Sequence, residues 1–327
     1  MTHSVQLLGI SNAIVDVLAH IEDEFLEDIG AVPGSMTLID KDQARELYAQ
    51  MGPATEMSGG SVANTIAGFA NLGGTAAYIG KVKADQLGTI FNHDMRSLGV
   101  DIRLKAAAEG APTARSHVLI TEDGQRTMQT YLGACLELCI ADITAETVGT
   151  PKAMLLEGYV WDIAEGPALA KKAAEIARTN GTTVALSLSD SFCVERHRDS
   201  FIDFVRNDAD IIVADEEEVF ALLGTDSIID TLDALPDHGK LFVMTRSEKG
   251  SVIVHKDQKI VQPASGVDEL VDTTGAGDAY CAGFLFGWAN DRPLDECAKY
   301  GTHCATMVIQ QLGARIEPGL LDDFESL

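Results

Sequence analysis

The sequence predicts an α/β protein in which helices cover both faces of a mostly parallel β-sheet, with a small β appendage at its edge. From about residue 152 onward, short apolar runs alternate with amphipathic stretches, the pattern of parallel strands joined by crossover helices. Two earlier segments, about 17–45 and 103–131, break this alternation and predict the appendage. Since there is no internal repeat and no low-complexity linker, we interpret residues 1–327 as one domain with a discontinuous appendage.

The first half of the chain mixes strand and helix signals. We predict strands at 5–10 and 75–80, and helices at 59–72 and at 85–98, before Gly99. A β-hairpin follows, because SHVLIT and QRTMQTY are rich in strand-forming residues and are separated by Glu122-Asp123-Gly124, a turn that ends in glycine.

The second half of the chain is regular. Its predicted strands are 153–158, 183–189, 210–215 and 240–245. Its predicted helices are 166–181, 195–206, 216–223, 276–290 and 294–311. The runs GSVIV and KIVQP lie between the last of these strands and the last two helices.

Composition narrows the function classes. The formal net charge of −26 repels nucleic acid and anionic membranes, so an anionic ligand would need helix N-termini, backbone amides or cations to bind. No apolar run is long enough for a membrane helix, and the N-terminus lacks a basic leader. The six cysteines include no C-x-x-C pair. We therefore expect a cytoplasmic protein without structural disulfides or zinc.

The stretch DTTGAGDAY, residues 272–280, is a candidate anion site. Gly275, Ala276 and Gly277 open a predicted helix, where small residues admit a ligand and the first amides have no partner within the helix. A carboxylate beside such a pocket suits a base that deprotonates a hydroxyl attacking phosphorus, and Asp278 is placed for that role. The alternative is a helix start with glycines for packing and an aspartate that favours the helix dipole.

Two other nucleotide-binding patterns are excluded. The chain contains no G-x-x-x-x-G-K-[ST] motif. Tyr280 stands where the third glycine of G-x-G-x-x-G belongs, which disfavours a nicotinamide oxidoreductase.

DTTGAGDAYCAGFL (272–285) resembles the C-terminal signature of the ribokinase-like (PfkB) family of carbohydrate and nucleoside kinases. The resemblance implies a three-layer α/β/α fold whose appendage is a lid, and a reaction that uses ATP and Mg²⁺. It also implies that Asp278 is the base, that the Gly275–Gly277 amides form the anion hole, and that Thr274 lines the nucleotide site. Family members often hold a monovalent cation such as K⁺ near Asp272 and Thr274.

Further motifs extend the resemblance over nearly the whole chain. GISNAIVD and SGGSVAN resemble the two substrate motifs of the family, and IGKVKADQLG resembles its G-x-V-G-x-D-x-x-G segment. The residues carried over for binding substrate hydroxyls are Asn12, Asp16, Gly59, Gly60 and Asn64. The residues matching the third segment are Gly80, Asp85 and Gly88.

Two motifs depart from the family pattern. In ADEEEVFALLG, Glu218 matches the family glutamate that organises magnesium, but Asp215 stands where asparagine is usual. The alternative for this pair is an acidic first turn of a helix. In TRSEKG, Thr245 and Gly250 are expected to line the nucleotide, but Ser247 replaces the first glycine of T-x-G-x-x-G.

Within the family, the chain resembles adenosine kinases, through GGS at 59–61 and His303 on the last helix, where ribokinases commonly have asparagine. In that interpretation, four residues flank a purine: Ile14, Met36, Leu38 and Tyr159. His303 neighbours the base of the nucleotide, and Arg126 closes over phosphate or the substrate. Core packing, a buried histidine and an exposed strand arginine are the respective alternatives.

The sequence thus predicts ATP-dependent phosphorylation of a primary hydroxyl of a nucleoside, adenosine in the first instance. The alternatives are a sugar kinase of ribokinase or fructokinase type, and a catalytically silent nucleoside or nucleotide sensor. The expected partner is a small molecule. Monomer and homodimer both stay open.

Overall fold

The computed structural model describes residues 5–122, 124–235, 239–267 and 269–316. Asp123 of the predicted turn lies outside them. The strands are β1 (Leu7–Ile10), β2 (Ile14–His20), β3 (Met36–Leu38), β4 (Thr55–Gly59), β5 (Ala76–Ile79), β6 (Asp101–Ile102), β7 (Ala114–Ile120), β8 (Arg126–Tyr131), β9 (Ala153–Glu157), β10 (Thr183–Ser187), β11 (Ile211–Asp215), β12 (Leu241–Thr245), β13 (Ser251–His255) and β14 (Gln258–Gln262).

The helices connect these strands in chain order. They are α1 (Asp23–Asp28), α2 (Lys41–Gln50), α3 (Ser61–Asn71), α4 (Gln86–Ser97), α5 (Ala145–Val148), α6 (Gly166–Thr179), α7 (Ser191–Asn207), α8 (Glu216–Leu223), α9 (Ile228–Ala234), α10 (Ala276–Ala289) and α11 (Leu294–Val308). Within the described residues, no helix is both long and apolar enough to cross a membrane.

The large sheet has nine strands in the order β14-β13-β12-β11-β10-β9-β1-β5-β6. From β12 to β6 all neighbours pair in parallel, whereas β13 and β14 pair antiparallel at one edge. The carboxyl ends of the parallel strands therefore lie along one edge, where ligands of open α/β sheets bind. This arrangement confirms the predicted α/β fold with a mostly parallel sheet.

Side chains of successive strand residues enter two cores on opposite faces of the large sheet. Leu8 and Ile10 pack in the core beneath α6, α7 and α8, whereas Leu7 packs in the core beneath α3, α4, α10 and α11. Both faces are thus covered by helices, which explains why the strands read as continuous apolar runs.

A second sheet has five strands in the order β3-β8-β7-β2-β4. Strands β7 and β8 form the predicted antiparallel hairpin, and β2 pairs in parallel with β7. Strand β4 lies outside the two segments expected for the appendage, 17–45 and 103–131. Since β2 follows β1 after three residues and α3 follows β4 after one, both connections pass between the two sheets.

Most predicted elements are confirmed to within a few residues. The elements that were not predicted individually are β2, β3, β4, β6, α1, α2, α5 and α9. The segment 17–45, expected to be β appendage, also contains helix α1 and the start of α2. Helix α7 begins at Ser191 instead of 195, because the Asp190 side chain caps it by accepting a hydrogen bond from the Cys193 amide at 2.9 Å.

Candidate active site

The two substrate motifs meet where the chain passes between the sheets. A Cβ on Gly60, whose φ is +95°, would lie 2.7 Å from the Asn12 carbonyl oxygen. A Cβ on Gly59 would lie 2.2 Å from Asp16 Oδ2. These positions therefore require glycine, because only a bare backbone lets β4 lie against the Asn12 loop and the Asp16 carboxylate.

Asn12 is held by a buried glutamate at the end of β9. The Asn12 amide donates to Glu157 Oε2 at 2.8 Å, and the Val62 amide in the first turn of α3 donates to Oε1 at 3.2 Å. Burial raises the pKa of Glu157 to about 7, although these two amides oppose the shift. The Asn12 side-chain Oδ1 is buried and finds no hydrogen-bond partner among the described residues, so it can accept a bond from a ligand hydroxyl.

Asp278 lies in the first turn of α10 and accepts hydrogen bonds from two side chains of α3. Ser61 Oγ donates to Asp278 Oδ1 at 2.7 Å, and Asn64 Nδ2 donates to Oδ2 at 3.1 Å. Burial raises the pKa of Asp278 to about 6, and the bonds from Ser61 and Asn64 and the charge of Arg315 limit the rise. The carboxylate is thus fixed in position and mostly ionised at neutral pH.

The start of α10 has the geometry of an anion site. Gly275 caps the helix with φ +76°, and a Cβ there would lie 2.4 Å from Ala314 Cβ. The Ala276 amide donates to the Thr273 carbonyl, which leaves the amides of Gly277 and Asp278 as the first-turn donors without an acceptor within the helix. A Cβ on Gly277 would meet nothing within 4 Å, so open space lies beside these donors.

Asp272, expected near a monovalent cation, is paired with an arginine. Arg126 Nη2, at the start of β8, lies 2.6 Å from Asp272 Oδ2, and the two side chains are only 8% and 4% exposed. The amide of Thr274 donates to Asp272 Oδ1, and that of Gly313 to Oδ2. Because a guanidinium and two amides already surround this carboxylate, it does not fit K⁺ in this arrangement.

Asp215 and Glu218 cap helix α8. Asp215 Oδ1 accepts from the Glu218 amide at 2.8 Å, and Glu218 Oε2 accepts from the Asp215 amide at 2.9 Å. Burial, followed by the Asp215 charge, raises the pKa of Glu218 to about 8. The cap uses one oxygen of each carboxylate, so the other oxygens fit Mg²⁺, directly or through its waters. Across the described ranges, no group of three or more His, Cys, Asp or Glu side chains could hold a metal by itself.

The segment 245–250 follows β12 and lies beside Asp215, since Thr245 pairs with Asp215 in the sheet register. Gly250 has φ +82°, and a Cβ there would lie 2.0 Å from the Gln262 carbonyl oxygen. Ser247 has φ +48°, a conformation that favours the glycine usual in the family.

The remaining predicted residues are more dispersed. Tyr159 lies two residues after the end of β9 and packs against the core beneath α6. His303 is partly buried on α11. Ile14 pairs with Gly59, while Met36 and Leu38 on β3 are exposed.

The IGKVKADQLG motif joins the two sheets structurally. Asp85 caps α4 through the Gly88 amide and also accepts bonds from the Thr113 amide and hydroxyl, at 2.9 and 2.6 Å. A Cβ on Gly88 would lie 1.9 Å from the Lys83 carbonyl oxygen. This motif therefore fixes the approach to β7.

Sequence reasoning missed Ser61, Glu157 and Arg315 as site residues. The spacing of Ser61 and Asn64 was a usable signal, because residues three apart share one face of a helix. Glu157 is the charged end of an apolar strand on the ligand-binding edge, which is also a detectable signal. Arg315 lies after the last helix, in a stretch with no periodicity that would indicate its surroundings.

The fold and this geometry, a fixed carboxylate beside free helix amides on the carboxyl edge of a parallel sheet, define a class of phosphotransferases. The family model described as pfkB family carbohydrate kinase matches residues 29–319. The chain belongs to the PfkB family, and it is a kinase of a sugar or a nucleoside.

The names of similar proteins within the family state different substrates. The crystal structure of adenosine kinase from Sinorhizobium meliloti is 46% identical, with a TM-score of 0.91 and 99% of each chain covered. A probable sugar kinase protein from Rhizobium etli CFN 42 is 43% identical, with a TM-score of 0.91, over 100% of this chain and 99% of that one. The 5-dehydro-2-deoxygluconokinase of Clostridium perfringens is 26% identical over 77% of this chain and 78% of its own.

Proposed function

We propose that the protein transfers the γ-phosphoryl group of ATP to the 5′-hydroxyl of a nucleoside, with adenosine as the acceptor and AMP as the product. The observation that carries the proposal is the Asp278 carboxylate, held by Ser61 and Asn64 beside the free amides of α10. A base and an anion site at one helix N-terminus are what transfer to a hydroxyl requires.

Each group then has a chemical role. Asp278 accepts the proton of the attacking hydroxyl, and its pKa of about 6 keeps it in the basic form at neutral pH. The amides of Gly277 and Asp278 stabilise the charge on the transferred phosphoryl oxygens. Asn12 Oδ1 and Asp16 bind ribose hydroxyls from the side of β2.

Asp215 and Glu218 would hold Mg²⁺ through the oxygens that the helix cap leaves free, and the ion would supply positive charge for the phosphates. Thr245 and Gly250 line the nucleotide on the neighbouring strand end. In this proposal the five-stranded sheet is the lid of a single kinase domain. The contact of Arg126 with Asp272 closes the lid over the anion site and excludes water that would hydrolyse ATP.

Two observations favour a nucleoside over a free sugar. The relative at 46% identity is described as an adenosine kinase. Met36 and Leu38 are also large apolar side chains left exposed on the lid sheet, with Tyr159 at the sheet edge, and a base provides apolar surface for such groups. The relative at 43% identity favours the second candidate, a sugar kinase.

The test measures ADP release with ATP and Mg²⁺ across adenosine, inosine, guanosine, cytidine, ribose, fructose and 2-keto-3-deoxygluconate. The proposal expects adenosine to give the highest kcat/KM and Asp278→Asn to lose about 10²–10⁴-fold. A free sugar that outperforms every nucleoside would replace the acceptor but keep the mechanism. Binding of ATP without turnover of any acceptor would favour the sensor.

A further inference from the structure

Arg315, seven residues after the end of α11, reaches back under the substrate site. Its Nη1 donates to the Ala63 carbonyl in α3 at 3.1 Å, and its Nη2 donates to Ser58 Oγ in β4 at 2.9 Å and to the Ser58 carbonyl. One side chain thus joins the strand before Gly59 to the helix that carries Ser61 and Asn64.

The residues beside Arg315 are tied to the anion site. The Gly313 amide donates to Asp272 Oδ2 at 2.9 Å, and Ala314 fills the space against Gly275. The Asn71 side chain donates to the Ile316 carbonyl at 2.7 Å. The segment 313–316 therefore contacts both halves of the site.

The Arg315 charge faces carboxylates from three elements: Asp16 on β2, Asp94 on α4 and Asp278 on α10. Tyr78 on β5 is the fourth titratable neighbour. Asp94 has a second role, because its Oδ2 accepts from the Ser58 amide at 2.8 Å. A buried guanidinium is costly unless anions balance it, and these carboxylates supply that balance.

We propose that Arg315 is a positioning residue for phosphoryl transfer, which holds β4 against α3 and places a buried positive charge facing Asp16, the carboxylate that binds the acceptor. The inference rests on the proposed function, in which Asp16 binds acceptor hydroxyls. Burial raises the pKa of Asp16 to about 6, Arg315 and then Arg126 oppose that rise, and Asp278 adds to it.

The test compares Arg315→Met, which removes the charge, with Arg315→Lys, which keeps it. Arg315→Gln serves as the neutral variant if Arg315→Met does not fold. The matched control is Arg96→Met, which removes one exposed charge from α4 beside the buried Met95. Aspartate labelled with ¹³C at Cγ is titrated by NMR, and Asp16→Asn and Asp278→Asn assign the two resonances.

The neutral variant is expected to raise the Asp16 midpoint from about 6 to about 7 or above, and that of Asp278 by less. The acceptor KM at pH 7 should rise about tenfold with a smaller change in kcat. Arg315→Lys should restore the midpoint. Equal loss of Tm and activity in the neutral and lysine variants, with the Asp16 midpoint unmoved, would overturn the proposal.

The NMR midpoint does not depend on turnover. Absence of activity towards every acceptor would therefore reject the proposed function, while the NMR midpoint of Asp16 would still test whether Arg315 acts on that carboxylate. An unmoved midpoint in an active kinase would reject only the role of Arg315.

Discussion

Replacement of Ser61 by alanine should move the acid limb of the pH–rate profile. The hydroxyl donates to Asp278 Oδ1 at 2.7 Å and, after burial, is the largest influence on the pKa of about 6. A hydrogen bond to a charged group contributes about 1.5–3 kcal/mol. Since about 1.36 kcal/mol corresponds to a change of one in pKa, loss of this bond should raise the pKa of Asp278, and with it the midpoint of the acid limb, from about 6 to about 7–8.

The assay is kcat/KM between pH 5 and pH 9.5 with the best acceptor of the panel. At pH 7 the fraction of ionised base falls, so the rate of Ser61→Ala should drop about 2- to 10-fold, and it should recover near pH 9. The control is Thr65→Val, because that hydroxyl donates to the Asp278 backbone carbonyl at 3.2 Å and not to its carboxylate. A limb that stays near pH 6 while the rate falls equally at every pH would refute this account.

Three further outcomes follow from the same contacts. Because burial raises the pKa of Glu218 from 4.5 to about 8, the folded state holds a proton between these pH values that the unfolded state has lost, and the free energy of unfolding falls as pH rises through that window. The variant Glu218→Gln keeps the helix cap, so its Tm should fall less than that of the wild type between pH 5 and pH 9. Equal losses of Tm in the two proteins would contradict the assignment. Gly277→Ala should lower kcat/KM about 10-fold or more with an unchanged Tm, whereas Gly275→Ala, in a left-handed conformation against Ala314, should be destabilised by about 1–3 kcal/mol in chemical denaturation. Because Arg126 already pairs with Asp272, exchange of K⁺ for Na⁺ should leave the kcat of the wild type unchanged. Strong activation by K⁺ would show that Arg126 does not take the place of a cation at Asp272.

The large sheet could be predicted because its information is local. Apolar strands and amphipathic helices can be recognised from patterns of ten to twenty residues, and from residue 152 onward these patterns predicted the strands and most of the helices. The second sheet could be predicted only as a hairpin. Its two parallel pairs, β2 with β7 and β3 with β8, join residues about 90–100 apart, such as Ile14 with Ala114, and no local pattern records a partner at that separation.

The candidate site could be predicted where a motif names its residues. The motifs named Asp278, Asn64 and the glycines at 59 and 60, and the structure brings Asp278 and Asn64 into contact and places both glycines beside the Asn12 loop and Asp16. The ion pair of Arg126 with Asp272 did not, because side chains that meet across two sheets leave no spacing in the sequence. Asp215 shows a further difficulty, since the same carboxylate that caps α8 is also available to a metal.

The strand pairing of the second sheet constrains how the molecule is made. Its five strands come from two stretches, 14–59 and 114–131, and each stretch contains strands that pair with strands of the other. Pairing β2 with β7 closes a loop of about a hundred residues, an entropic cost that local contacts do not offset early in folding. We therefore expect the second sheet to form after the first sheet has brought its two stretches together. A chimera that exchanged either stretch alone would separate strands from their partners, so we expect the second sheet to tolerate replacement only when both stretches are exchanged together.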